Sequence, residues 1–194
     1  MIRFYLNREL APLLEINLAK WKRWSREFLP PDPLGGMQSG FARQFSIKDA
    51  FVVYLGGHLV ADLKISIPEA KQILSDLDVW LAQKGFYGIH PISIPSDKPV
   101  QNPEELIQSY TIIITRTTNT EGRFGFDYRI HGIIAETDST YQNQPVKCLF
   151  YTETHLNSPA SPNRKADFRS VKHLNISDIF KCFHDLLQGA SHSA

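Results

Sequence analysis

The sequence predicts an α+β chain in two parts, on three observations. Residues 7–84 carry apolar residues at helical spacing in four successive segments. Residues 109–154 carry three runs rich in β-branched and aromatic residues, parted by Asn/Thr/Gly/Gln loops. Between them, residues 85–103 (GFYGIHPISIPSDKPVQNP) hold four prolines and two glycines and read as a linker or an extended connection. The expected domains are therefore residues 1–90 and 104–188.

The 194 residues are 42% hydrophobic and 21% charged, an ordinary globular composition able to bury a core. Net charge is only +1, but it is unevenly spread. Residues 1–48 hold eight Lys/Arg against four Asp/Glu, a net of +4, and the remaining 146 residues hold thirteen against sixteen, a net of −3. A positive field gathered at the N-terminal end suits a polyanion, although +4 over 48 residues is also common on a solvated surface. The two cysteines, Cys148 and Cys182, form no Cys-x-x-Cys pair and no Cys/His cluster with ligand spacing. No metal, cofactor or disulfide framework is expected. MIRFYLNREL lacks the apolar core of a signal peptide, and no apolar run approaches a membrane span. The expected compartment is the reducing cytoplasm, with no membrane partner.

In chain order, NRELAPLLE (7–15) predicts a short first helix with Leu10, Leu13 and Leu14 on one stripe and Asn7 as N-cap. Pro12 lies beyond the first turn, where it removes a backbone bond and keeps the helix short. Glu15-Ile16-Asn17 is the turn, and Asn17 caps a second helix over 18–28 (LAKWKRWSREF). Leu18, Trp21, Trp24 and Phe28 form its narrow apolar stripe, which places both tryptophans in the core rather than on bases. Lys20, Lys22, Arg23 and Arg26 lie off that stripe. Two short helices joined by a tight turn form the helix-turn-helix pattern, with the second helix offered to a DNA major groove. A solvated amphipathic helix fits this one segment equally.

Leu29-Pro30-Pro31 ends the helix. Residues 32–45 (DPLGGMQSGFARQF) then read as a β-hairpin wing, with Arg43 on the strand face opposite Phe41 and Phe45 and aimed at a phosphate or minor groove. Ser46-Ile47-Lys48-Asp49 is a capping box opening a third helix over 49–63, and Ser66-Ile67-Pro68-Glu69 a second box opening a fourth over 67–84, which stops at Lys84-Gly85. Gly56-Gly57 inside the third helix costs about 1 kcal/mol per glycine relative to alanine. That cost points to close backbone approach by another element, or to a bend.

These motifs follow a family order: Glu9-Leu10-Ala11, Asn17-Leu18, Phe28-Leu29-Pro30-Pro31, Ser39-Gly40-Phe41, Arg43-Gln44-Phe45, Ser46 to Asp49, and Leu63 to Glu69. Residues 4–84 resemble the DNA-binding domain of MerR-type regulators. The resemblance implies an N-terminal winged helix-turn-helix domain. It also implies DNA contacts at Lys20, Lys22, Arg23 and the wing residue Arg43, and a homodimeric transcriptional regulator of double-stranded DNA; with Asn17 and Arg26 on the same helix, these are the expected DNA-binding residues. The chain departs from the family in three places. Glu15 occupies a turn position often held by glycine, Ala42 is an extra wing residue, and no long dimerising helix follows residue 84.

The second half predicts strands over 109–117, 124–136 and 146–154, a helical turn at 104–108, a polar loop at 157–167 and a disordered tail. A last helix, capped by Asn175-Ile-Ser-Asp178, carries Ile179, Phe180, Phe183, Leu186 and Leu187. The expectation is an antiparallel sheet with this helix packed across it, serving dimerisation or binding a small-molecule or protein effector. His131, His155, His173 and His184 show no ligand spacing with Asp127 or Glu153, and no catalytic motif is present, so no enzyme is expected. Two other readings remain. One is a protein-interaction or phage-excisionase-like architectural module reusing the winged fold. The other is a small enzyme with a pocket at His131, Asp127 and Tyr128.

Overall fold

The computed structural model describes residues 4–32, 42–88, 107–118, 124–141, 144–157 and 165–189. The chain is α+β: five helices, a two-stranded sheet and a four-stranded antiparallel sheet among the described residues. Cα packing divides it into two compact units, Met1–Ile92 with Ile179–Ala194, and Ser93–Asp178.

In the first unit, β1 (Tyr5–Leu6) leads directly into α1 (Asn7–Leu13). The cap is Leu6 and not the expected Asn7: the Leu6 N–H donates to Glu9 Oε2 at 2.7 Å, which satisfies an orphan donor without a capping hydroxyl or amide. Pro12 sits inside α1, which ends one residue later. The helix closes in a Schellman turn, with Ile16 N–H bonded to Ala11 O and Glu15 N–H to Pro12 O. Glu15 occupies the left-handed position of that turn, φ 55°, where a Cβ costs energy that glycine avoids. Glu15→Gly should therefore stabilise the first unit by roughly 1 kcal/mol. Urea denaturation gives the value, and a loss of stability would contradict it.

Asn17 caps α2 (Leu18–Phe28), its Oδ1 accepting from Ala19 N at 2.9 Å and from Lys20 N. After the Leu-Pro-Pro stop, the wing expected over 32–45 lies mostly outside the described residues. Its described end, β2 (Gln44–Phe45), pairs antiparallel with β1, Tyr5 opposite Phe45. α3 (Ile47–Ala61) starts at Ser46, whose Oγ accepts from Asp49 N while Asp49 Oδ2 accepts from Ser46 N. Its buried residues, from Ala50 and Phe51 through Gly56, Gly57 and Leu59, point in all directions around the axis, so α3 is the central helix of the unit. Gly56-Gly57 marks close approach, and the helix runs on through it. A Cβ on Gly56 would stand 2.6 Å from the Phe28 ring, and one on Gly57 would stand 2.2 Å from the Trp24 ring.

α4 (Ile67–Gln83) buries Ala70, Ile73, Leu74, Leu77, Trp80 and Leu81, and stops in a second Schellman turn with Gly85 at φ 80°. Near its end, Tyr87 Oη donates to Asp78 at 2.8 Å and Lys48 Nζ lies 3.0 Å from the same carboxylate. These partners, the tyrosine first, hold the Asp78 carboxyl below its ordinary value. A depressed carboxyl contributes stability above its unfolded pKa, about 3.9, and loses it as pH falls through the lower folded value. Acid titration should therefore destabilise the wild type below about pH 4 more steeply than Asp78→Asn. Equal acid slopes by circular dichroism would contradict it.

The second unit is a sheet of β3 (Ser109–Thr118), β4 (Phe124–Tyr141), β5 (Gln144–Asn157) and β6 (Lys165–Asn175), in the order β5-β4-β3-β6, all antiparallel. Alternation puts Tyr110, Ile112, Ile114, Phe126, Tyr128, Ile130 and Leu174 on one buried face. Gln108 N–H donates to Ile133 O, continuing the ladder at the end of the helical turn expected over 104–108, the rest of which lies largely outside the described residues. The polar loop expected over 157–167 runs mostly outside them as well, and the tail wholly outside. β6 is a fourth strand where none was expected.

The last helix, α5 (Ile176–Gly189), is capped as expected, Asn175 Oδ1 accepting from Asp178 N. Its packing corrects the expectation of a helix across the sheet: from Ile179 onward it belongs to the first unit. The reason is aromatic fit. Phe180 meets Phe51 and Phe86 edge-on, each with centroids 5.2 Å apart, and Phe183 meets Phe51 and Tyr54 at 5.3 Å.

Candidate nucleic-acid interface

α2 turns about 100° per residue, so its side chains divide cleanly around the axis. Trp21, Trp24 and Phe28 point inward. Trp21 is fully buried, 5.8 Å from the Phe45 ring, while Trp24 and Phe28 lie over the glycines of α3. Lys22, Arg26, Ala19 and Arg23 occupy the opposite arc and are exposed. Among the described residues, Lys22, Arg23 and Arg26 make no ion pair. Glu27, the one acid on this helix, is bound at 2.8 Å by Lys71 of α4. Lys71 first, and Arg23 and Arg26 after it, hold that carboxyl below its ordinary value.

Two grooves flank this ridge. One, of about 460 Å³, is lined by Lys22, Ser25 and Arg26 of α2, by Pro30 to Asp32, by Asn7 and by Arg43. Arg43 is not on the face opposite Phe45, where it was expected, because residues two apart in a strand share a face. Its guanidinium lies 5.6 Å from the Phe45 ring centre, and Nη1 donates to the Pro30 carbonyl at 2.9 Å. The Leu-Pro-Pro stop thus supplies the acceptor that holds the arginine beside Lys22 and Arg26. The other groove, of about 610 Å³, is lined by Lys20 and Arg23 on one wall and by Val60, Lys64 and Ile67 on the other.

No family of proteins, no curated protein and no solved structure compared with this chain matches it.

The six residues singled out from sequence therefore fall into distinct places. Lys22, Arg23 and Arg26 form the outward arc. Arg43 joins Lys22 and Arg26 across a groove. Lys20 lies at the edge of the stripe with its ammonium 4.6 Å from the centre of the Trp24 ring, where a cation–π contact holds it. Asn17 is exposed, with its carbonyl oxygen engaged in capping. Lys64, which faces Lys20 and Arg23 and caps the Ala61 carbonyl, was not foreseen. It lies beyond the end of α3 in a left-handed residue, φ 57°, and nothing in the local pattern ties it to α2.

In the second unit, the trio His131, Asp127 and Tyr128 does not come together. Tyr128 is in the core face, and the other two point to the opposite side. His131 instead meets Glu153 across the β4–β5 ladder at 2.7 Å, and His155 meets the other oxygen of the same carboxylate at 2.8 Å. His131 also stacks on Tyr151 at 4.1 Å. Among the described residues, no three His, Cys, Asp or Glu side chains are grouped to hold a metal ion. No described helix is long and apolar enough to cross a membrane.

Proposed function

We propose that the first unit binds double-stranded DNA, with α2 entering the major groove, and that the protein is a transcriptional regulator with a MerR-like winged helix-turn-helix. The observation that carries this reading is the outward arc of α2. Three exposed cations, without an ion pair among the described residues, stand on a helix whose other side is locked to α3 by two aromatic rings, and a helix of this width fits a major groove. The α1–turn–α2 order and the return of β2 to β1 support the winged reading. Lys22 and Arg26 neutralise phosphates or read guanine, Arg43 contacts the flanking backbone, and Arg23 with Lys64 holds the other strand. The second unit then serves association or an effector. Titration of labelled duplex DNA with the full chain is the test. Affinity that falls steeply with salt is expected, and absence of salt-dependent binding overturns the reading.

A further inference from the structure

The sheet of the second unit has an edge that is open and unusually well suited to pairing. β5 bonds to β4 on one side and to no strand on the other among the described residues. It runs for 14 residues, and after Pro145 at its start no proline interrupts it. The irregularity in the β4–β5 ladder falls between Ile133 and Ala135 of β4, so β5 itself stays regular. Most exposed edges are blunted by proline, bulges or charge, because a row of unpaired backbone groups recruits other strands. Here the middle of the edge is apolar: Leu149, Phe150 and Tyr151 are 52%, 57% and 46% exposed. Moreover, β3 pairs with β4 only as far as Ile133, so beyond it, among the described residues, β4 and β5 continue as a two-stranded ribbon, a structure of marginal stability without further pairing.

We propose that two copies of this chain associate through β5, joined antiparallel about a two-fold axis centred on Phe150, so that their sheets become one. Strand chemistry selects the centre. Two-fold antiparallel pairing must place one residue opposite its own copy, because only then do paired side chains share a face. Centred on Phe150, the register sets Leu149 opposite Tyr151 and the Lys147 position opposite Glu153, each twice by symmetry. A centre at Leu149 sets lysine against Tyr151 and glutamate against proline, and a centre at Tyr151 sets lysine against His155. Only the Phe150 register matches opposite charges as well as apolar neighbours, and such pairs stabilise a ladder. His131, stacked on Tyr151, and Glu153, held by two histidines, are already ordered for it. The inference rests on the second unit and is independent of the DNA reading.

Light scattering of the full chain at high concentration should give twice its 22.1 kDa. Phe150→Lys sets two like charges face to face and should return the mass to 22.1 kDa while the circular-dichroism spectrum of the folded chain stays unchanged, since Phe150 is 57% exposed. The register has its own test. In a Cys148→Ser/Cys182→Ser background, Phe150→Cys should oxidise to a covalent dimer, its two Cα atoms lying within disulfide reach. Leu149→Cys, opposite residue 151, should not. A monomeric wild type, a dimer indifferent to Phe150→Lys, or equal cross-linking at 149 and 150 would each overturn the proposal.

Discussion

Gly57→Ala should destabilise the first unit by roughly 2 kcal/mol, although alanine is the better helix former. The two effects oppose each other and their sizes decide the sign. Helix propensity favours alanine by about 1 kcal/mol. Against that, the added methyl would stand 2.2 Å from Cζ3 of Trp24 and 2.5 Å from Cε3. The indole is rigid and buried between α2 and α3, so it yields only by moving the helix that carries it. Overpacking a core in this way costs about 1–3 kcal/mol, and a contact so far inside van der Waals distance belongs at or above the top of that range. Thermal or urea denaturation measures the result. Combining Gly57→Ala with Trp24→Phe shortens the ring and should recover part of the loss, a coupling visible in a double-mutant cycle. A stabilised Gly57→Ala would mean that α2 does not lie on these glycines.

How much of this was legible beforehand varies with the physical signal. Local signals spoke clearly. Asn17, Ser46 and Asn175 cap the helices assigned to them, because a cap needs only one side chain and the next turn. Gly56-Gly57 pointed to close approach because two costly glycines in an apolar helix need a reason, and Trp24 and Phe28 supply it. Signals that depend on distant partners were silent. The α5 stripe shows that Phe180 and Phe183 are buried, but only the cluster around Phe51 and Phe86 shows where. β6 escaped notice because Phe168, Val171 and Leu174 recur every third residue, which is neither a helix stripe nor strand alternation. The far ends of β4 and β5 passed for loop, since residues 136–140 are solvated on both faces and carry no alternating pattern. In the candidate interface, the cations of α2 were readable from helical geometry alone. The fold-back of Arg43 onto Pro30 and the approach of Lys64 to Arg23 depend on tertiary placement.

Replacing Lys22, Arg23 and Arg26 together with alanine should weaken duplex binding by roughly 500-fold at 0.1 M salt. Each phosphate neutralised contributes about 0.9 to the slope of log affinity against log salt, so three contacts are worth about 2.7 decades at that concentration. The loss should not reflect unfolding, because all three side chains are exposed and α2 is held by Asn17, Trp21, Trp24 and Phe28. Circular dichroism should be unchanged. Lys20→Ala should behave differently, with a smaller effect on binding and a stability loss of about 0.5–1 kcal/mol from the lost contact with Trp24.

The salt dependence itself is the most direct test, because it counts ions released and does not require knowledge of the preferred site. Fluorescence polarisation with labelled duplex DNA, repeated over a series of salt concentrations, gives the slope for the wild type and for the triple variant. A wild-type slope steeper than the variant's by about 3 is the expected result. Parallel slopes, or a wild type that does not bind duplex DNA at low salt, would contradict the assignment of α2 as the element that meets DNA.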